Sequence, residues 1–138
     1  MMVSGGPASP VGSGGPVSSS PFGAHFSGTG LPLTLTGDLL VTTAPRPAGG
    51  TISKVVVVSG DGTVGSVSFT LKKCARAAFP GSLADVTGGH NVVLSAASEM
   101  QDTTLSGWSP SFSADDVFQV GLQTVDGVIK EATLWLYV

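Results

Sequence analysis

Charge is scarce in this chain, and for the first 37 residues it is absent: Asp38 is the first Asp, Glu, Lys or Arg. Only 11% of the 138 residues are charged, against about 25% in an ordinary soluble domain. Six Lys and Arg against nine Asp and Glu give a net charge of −3. That balance argues against a nucleic-acid partner, because holding phosphates takes clustered cations. The one basic cluster, Lys72, Lys73 and Arg76, reads as a solvated strand end. Cysteine is nearly missing too. Cys74 stands alone, so no intrachain disulfide can form, and the disulfide-built extracellular scaffolds are excluded. Cys74 itself reads as a small packing residue.

Long apolar runs are also missing. The longest, Val55-Val56-Val57-Val58, is far below the roughly 20 residues that span a bilayer, so no membrane partner is expected. The N-terminus has neither a basic n-region nor a long apolar stretch, so synthesis in the cytoplasm without secretion is expected. Two histidines and one cysteine are too few for a zinc site. His25 lies among Gly and Ser, and His90 in a Gly-Gly-His-Asn turn; neither has the setting a Ser-His-Asp site needs. Gly60–Gly65 lacks a Lys and a following helix, so it is no phosphate loop. Asp115-Asp116 could contribute to a calcium site, but calcium asks for 6–8 oxygens from several loops. The expectation for this pair is a turn whose carboxylates accept backbone N–H groups. No catalytic residue, metal site or cofactor is assigned, and the chain is not read as an enzyme.

What the chain does have is a divided composition. Gly, Ser and Pro fill 19 of residues 1–30. Gly raises the entropic cost of ordering, and Pro blocks helix and central strand. Residues 1–30 therefore read as an extended arm, with Phe22, His25 and Phe26 as side chains able to bind a partner. Residues 31–138 read as a β-sandwich. Leu31, Leu33 and Leu35 alternate with Pro32 and Thr34 as an edge strand, and Leu39–Thr43 is a second candidate. Thr51–Val58 is β-branched throughout and is expected centrally, apolar on both faces. Val67, Phe69 and Leu71 alternate with Ser and Thr. A short helical turn is expected near Ser82–Asp85, a strand over Asn91–Ala96, and a long strand over Val117–Thr124. Asp126-Gly127 signals a hairpin turn. In the last stretch Ala132, Leu134, Leu136 and Val138 oppose Thr133, Trp135 and Tyr137.

Several of these segments resemble a known family. Ser106-Gly107-Trp108, Phe112-Ser113-Ala114-Asp115-Asp116-Val117, and Val125-Asp126-Gly127-Val128-Ile129-Lys130 running to Thr133-Leu134-Trp135-Leu136 look like the C-terminal half of small jelly-roll domains in virion proteins of tailed bacteriophages. Ser59–Gly65 with Val67–Leu71 resembles the front hairpin of that family. Lys72-Lys73-Cys74 departs from its Lys-Asn-Gly turn, and Ala114-Asp115-Asp116 from its Ala-Gly-Asp turn, although Asp tolerates positive φ better than most residues.

The resemblance covers about residues 51–138. It implies an all-β, jelly-roll-like antiparallel sandwich and a structural role in the virion. The leading expectation is a capsid decoration (cement) protein on the capsid exterior. It would bind the major capsid protein as a homotrimer, with the arm laid on the shell, and be made in the host cytoplasm. Multivalent arms and backbone pairing would supply affinity without charge. The alternative is a head or tail fibre module that binds host-surface glycans through Trp135, Tyr137 or loop residues such as Asn91 and Asp115. Trp108, Trp135 and Tyr137 are the aromatics to locate, as interface, glycan contact or core.

Overall fold

The computed structural model describes residues 21–34 and 40–138. Leu35, Asp38, Leu39 and residues 1–20, which hold most of the predicted arm, lie outside them. The described chain forms eleven strands: β1 (Phe22–Ser27), β2 (Leu40–Thr42), β3 (Gly50–Thr51), β4 (Lys54–Ser59), β5 (Gly65–Ala75), β6 (Ala84–Asp85), β7 (Val92–Ala97), β8 (Glu99–Asp102), β9 (Ser111–Phe112), β10 (Asp116–Val125) and β11 (Glu131–Tyr137). Among the described residues the one helical element is a 3-10 turn, Arg76–Ala78.

One sheet runs β1-β11-β4-β8; the facing sheet runs β2-β10-β5-β6, with β7 also on β5, and β3 pairs β9 in a short ribbon. Every pairing is antiparallel. This is the expected jelly-roll-like antiparallel sandwich. Period-two alternation builds it. Ala132, Leu134 and Leu136 of β11 point inward, as do Val55 and Val57 of β4. Val67, Phe69 and Leu71 of β5 and Phe118, Val120 and Leu122 of β10 meet them from the other sheet. Each such Val, Leu or Phe side chain contributes about 1.5–3 kcal/mol by leaving water. Phe26 and Phe69 lie 5.6 Å apart across the sandwich. Phe118 packs edge-on to Phe112 at 5.4 Å and tilted against Phe22 at 5.1 Å.

Five sequence expectations need correction. Phe22, His25 and Phe26 belong to strand β1 of the sandwich, because alternation drives Ala24 and Phe26 into the core. The Leu31–Thr34 stretch is not a strand, although Leu33 is buried and its N–H donates to the Ile129 carbonyl at 2.8 Å. Val56 and Val58 of β4 are only half-buried, so that strand buries one face rather than two. Asp126-Gly127 and Ser59–Gly65 do not close hairpins. Each carries the chain from one sheet to the other, since β4 and β11 lie in the first sheet and β5 and β10 in the second.

The helical turn expected at Ser82–Asp85 falls instead at Arg76–Ala78, and Ala84–Asp85 pairs with β5. Asp126 secures its crossing. Its Oδ1 accepts the Val128 N–H at 2.9 Å and its Oδ2 the Ser66 N–H at 2.6 Å. The Val128 and Ser66 N–H groups hold its carboxyl below the ordinary range, against a smaller opposing effect of desolvation.

Candidate functional site

Two loops, residues 86–91 and 103–110, pack side by side, and the contact between them is glycine on backbone. Gly88 has φ +64, and a Cβ there would sit 2.2 Å from the Gly107 carbonyl oxygen. Gly107 has φ +80, and a Cβ there would sit 2.6 Å from Cδ2 of His90. Both positions demand glycine for conformation and for space. The Ser109 N–H donates to the Val86 carbonyl at 2.7 Å and joins the loops further.

Each loop has its own aspartate as an internal cap. Asp85 Oδ1 accepts from the backbone N–H and the hydroxyl of Thr87, each at 3.0 Å, and Oδ2 accepts the Gly89 N–H at 2.8 Å. Desolvation is the largest single influence on Asp85 and raises its pKa. The Thr87 and Gly89 hydrogen bonds, with the charge of Lys72, together outweigh it, and the net shift is downward. Asp102 Oδ1 accepts the N–H groups of Thr104 at 2.9 Å and Leu105 at 3.2 Å. The Trp108 N–H then donates to the Leu105 carbonyl at 3.1 Å.

These caps bring four chemically useful side chains around one cleft of about 190 Å³. Trp108, His90, Asn91 and Asp102 line it, with Val55 and Met100 as apolar wall. The Asn91 amide nitrogen donates to Gln123 Oε1, which ties the loop to β10. Neither the Asn91 side-chain oxygen nor Asp102 Oδ2 takes a hydrogen bond from the described residues. The volume is below the roughly 300–1,000 Å³ typical of pockets for drug-sized ligands, so it has room for one ring or one end of a longer molecule. An aromatic beside open acceptors can hold a small amphipathic ring, apolar face on Trp and polar edge on Asp and Asn. Asp102 is the one acid among the described residues that line the cleft.

Of the candidate contact residues singled out in sequence, Trp108 and Asn91 line the cleft, and the others lie elsewhere. Phe22 is sandwiched between Phe118 and the Arg46 guanidinium, 4.1 Å from its ring centroid. His25 is exposed on the outer face of its sheet, with Nδ1 2.7 Å from Thr133 Oγ1 and Nε2 3.4 Å from Glu131 Oε1. Hydroxyl, imidazole and carboxylate thus stand in the order of a catalytic triad. Thr133, however, lies on a central strand whose N–H groups serve the ladders to β1 and β4, which leaves no adjacent backbone donors for an oxyanion. Trp135 and Tyr137 do project from the outer face, opposite Leu134 and Leu136. Trp135 is 39% exposed, and Tyr137 is half-buried with Lys54 Nζ 4.3 Å from its ring centroid.

Asp115 adopts φ 68, the left-handed turn conformation open to Asp, and its carboxylate reaches Arg76 at 4.0 Å. Asp116 accepts the Ser113 N–H at 2.9 Å. Asp115 lies away from the cleft, whereas Asn91 and Trp108 line it. Sequence reading missed Asp102 as a site residue and took His90 for a turn residue only. The signal available was Asp-Thr-Thr-Leu, the spacing of a side-chain-capped turn.

No protein-family model matches the chain, and no curated protein is significantly similar to it. Among solved structures it is similar to the family 32 carbohydrate-binding module of AlyQ in complex with 4,5-unsaturated mannuronic acid. The identity is 13%, covering 86% of this chain and 93% of that one, with a TM-score of 0.42. The family 32 module from C. perfringens NanJ in complex with galactose gives 11% identity over 86% and 93% of the two chains, TM-score 0.42. A carbohydrate-binding module from a family 9 glycoside hydrolase of Ruminococcus flavefaciens gives 14% over 84% and 83%, TM-score 0.37. At this distance the likeness is one of general sandwich shape, and no residue role is transferred.

Proposed function

We propose that this sandwich is a non-catalytic carbohydrate-binding module, with the cleft at Trp108 as its binding site. The observation that carries the reading is the convergence of Trp108, His90, Asn91 and Asp102 on a cleft the size of one sugar ring. A pyranose has an apolar C–H face for an aromatic ring and a rim of hydroxyls for the acceptors, and the site offers both. Together with the resemblance seen in the sequence, this favours a head or tail fibre module that holds a host-surface glycan. The capsid-decoration reading leaned on the arm, whose residues 1–20 lie outside the described chain.

The test is a glycan array followed by titration calorimetry on the best hit, with the wild type and Trp108→Ala. Loss of at least tenfold in affinity on substitution supports the cleft. Equal binding by the variant, or no glycan bound by either, sinks the proposal.

A second reading has one observation of its own. Trp135 shares a row with Gly23, Val56 and Gln101 across the outer face of the β1-β11-β4-β8 sheet. That half-apolar face suits contact with another subunit, as a decoration protein would need.

A further inference from the structure

We infer that the cleft selects neutral sugars and rejects uronic, sialic and sulfated ones. The inference rests on the carbohydrate-binding reading and adds the ligand's charge class to it.

The first ground is the placement of cations. All six Lys and Arg lie within the described residues, at 46, 54, 72, 73, 76 and 130, and none lines the cleft. Among the described residues that line it, Asp102 is the one carboxylate, and no Lys or Arg stands beside it. A bound carboxylate or sulfate would face this carboxylate with no Lys or Arg to offset the repulsion. Sites that recognise anionic groups use Arg or Lys for the opposite reason.

The second ground is the spending of backbone donors. An anion can be held without cations when consecutive N–H groups point at it. Here six of those groups are used within the two loops. The N–H groups of Thr87 and Gly89 go to Asp85, that of His90 to the Thr87 carbonyl, those of Thr104 and Leu105 to Asp102, and that of Trp108 to the Leu105 carbonyl. The Asn91 amide nitrogen goes to Gln123. Beside the indole N–H of Trp108 and the ring of His90, Asp102 Oδ2 and the Asn91 oxygen are left as acceptors, and these two call for a ligand that donates. Sugar hydroxyls donate; carboxylate and sulfate oxygens cannot.

The experiment is an array and calorimetric titration of the full chain, at pH 7 and fixed ionic strength, against matched pairs: galactose with galacturonate, glucose with glucuronate, mannose with mannuronate. The expected result is at least one neutral sugar bound tenfold or more above its uronate partner. The gap should shrink in Asp102→Asn, which removes the charge and keeps the side chain's size. A uronate bound as tightly as its neutral partner overturns the inference while leaving a carbohydrate-binding module in place. A gap unchanged in Asp102→Asn overturns the assignment to Asp102. If no sugar of either kind binds, the parent reading fails and this one falls with it.

Discussion

Substituting alanine at three glycines of positive φ separates what the loop contact costs in stability from what it gives to the site. Gly62, Gly88 and Gly107 have φ of +77, +64 and +80. The left-handed conformation costs a non-glycine residue about 1–2 kcal/mol, offset by about 0.4–1 kcal/mol from a less flexible unfolded chain. That backbone cost is common to all three, and the surroundings differ. A Cβ on Gly62 meets nothing within 4 Å, one on Gly107 meets the edge of the exposed His90 ring, and one on Gly88 meets the Gly107 carbonyl oxygen. His90 can swing away; a backbone carbonyl cannot. Overpacking against fixed atoms adds about 1–3 kcal/mol.

Gly62→Ala should therefore destabilise by about 1 kcal/mol, Gly107→Ala by slightly more, and Gly88→Ala by about 2–4 kcal/mol. Urea unfolding at constant m-value reads these differences directly. Glycan binding follows a different order. Gly62→Ala should bind as wild type. Gly107→Ala should lose at least tenfold despite its modest cost in stability, because His90 leaves the cleft. Equal stability of the Gly62 and Gly88 variants would refute the loop contact. Full binding by Gly107→Ala would refute the role of the His90 position.

Other outcomes are fixed by the core, the turns and the outer face. Phe118→Ala removes a fully buried ring that packs on Phe22 and Phe112 and should cost about 3–5 kcal/mol in chemical unfolding. Asp85 and Asp126 have carboxyl pKa values lowered in the folded chain. Their contribution is thus complete above the unfolded value near 3.9 and is lost as pH falls through the folded values. Melting temperature should be nearly flat from about pH 5 to 7 and fall below about pH 4. Asp126→Asn should flatten part of that fall, and an unchanged acid profile would show that Asp126 does not cause it. Trp135→Ser should leave unfolding within about 0.5 kcal/mol, as for ordinary surface positions. If the outer face joins subunits, the same change lowers the sedimentation coefficient at high concentration, and no change removes that face from consideration.

How much of this was legible in the sequence depended on how each residue is buried. Strands β5, β10 and β11 were readable because one face of each is apolar and the other polar, so the period shows in the residue types. β8 was not, since Glu99, Met100, Gln101 and Asp102 form a short edge strand with little to bury. β1 was missed because Gly and Ser flank it, and the signal of Ala24 and Phe26 is lost in that composition. Asp126-Gly127 was recognised as a turn, but a turn motif does not say whether the chain rejoins its own sheet or crosses to the next. That choice is made by the pairing of β10 and β11 with residues more than 40 positions away. The cleft was half legible: Trp108 and Asn91 could be named as chemically capable, but only packing of the two loops puts them beside Asp102 and His90.

The strand order also bears on how the protein is made. β10 lies between β2 and β5, and β11 between β1 and β4, so in both sheets an inner strand is translated after the strands that flank it. Until Asp116–Tyr137 has left the ribosome, β1 has no neighbour in its sheet, and β4 and β5 each expose one edge. Until then β1 and β2 wait unpaired and β4 and β5 half-paired, with Phe26, Val55 and Val57 lacking their full cover. Closure then comes as a late, cooperative event dominated by contacts distant in sequence, which makes for slow folding. Nascent chains stalled before residue 116 should be sticky and protease-sensitive. The domain's yield in a cell will depend on how fast its final two strands are delivered.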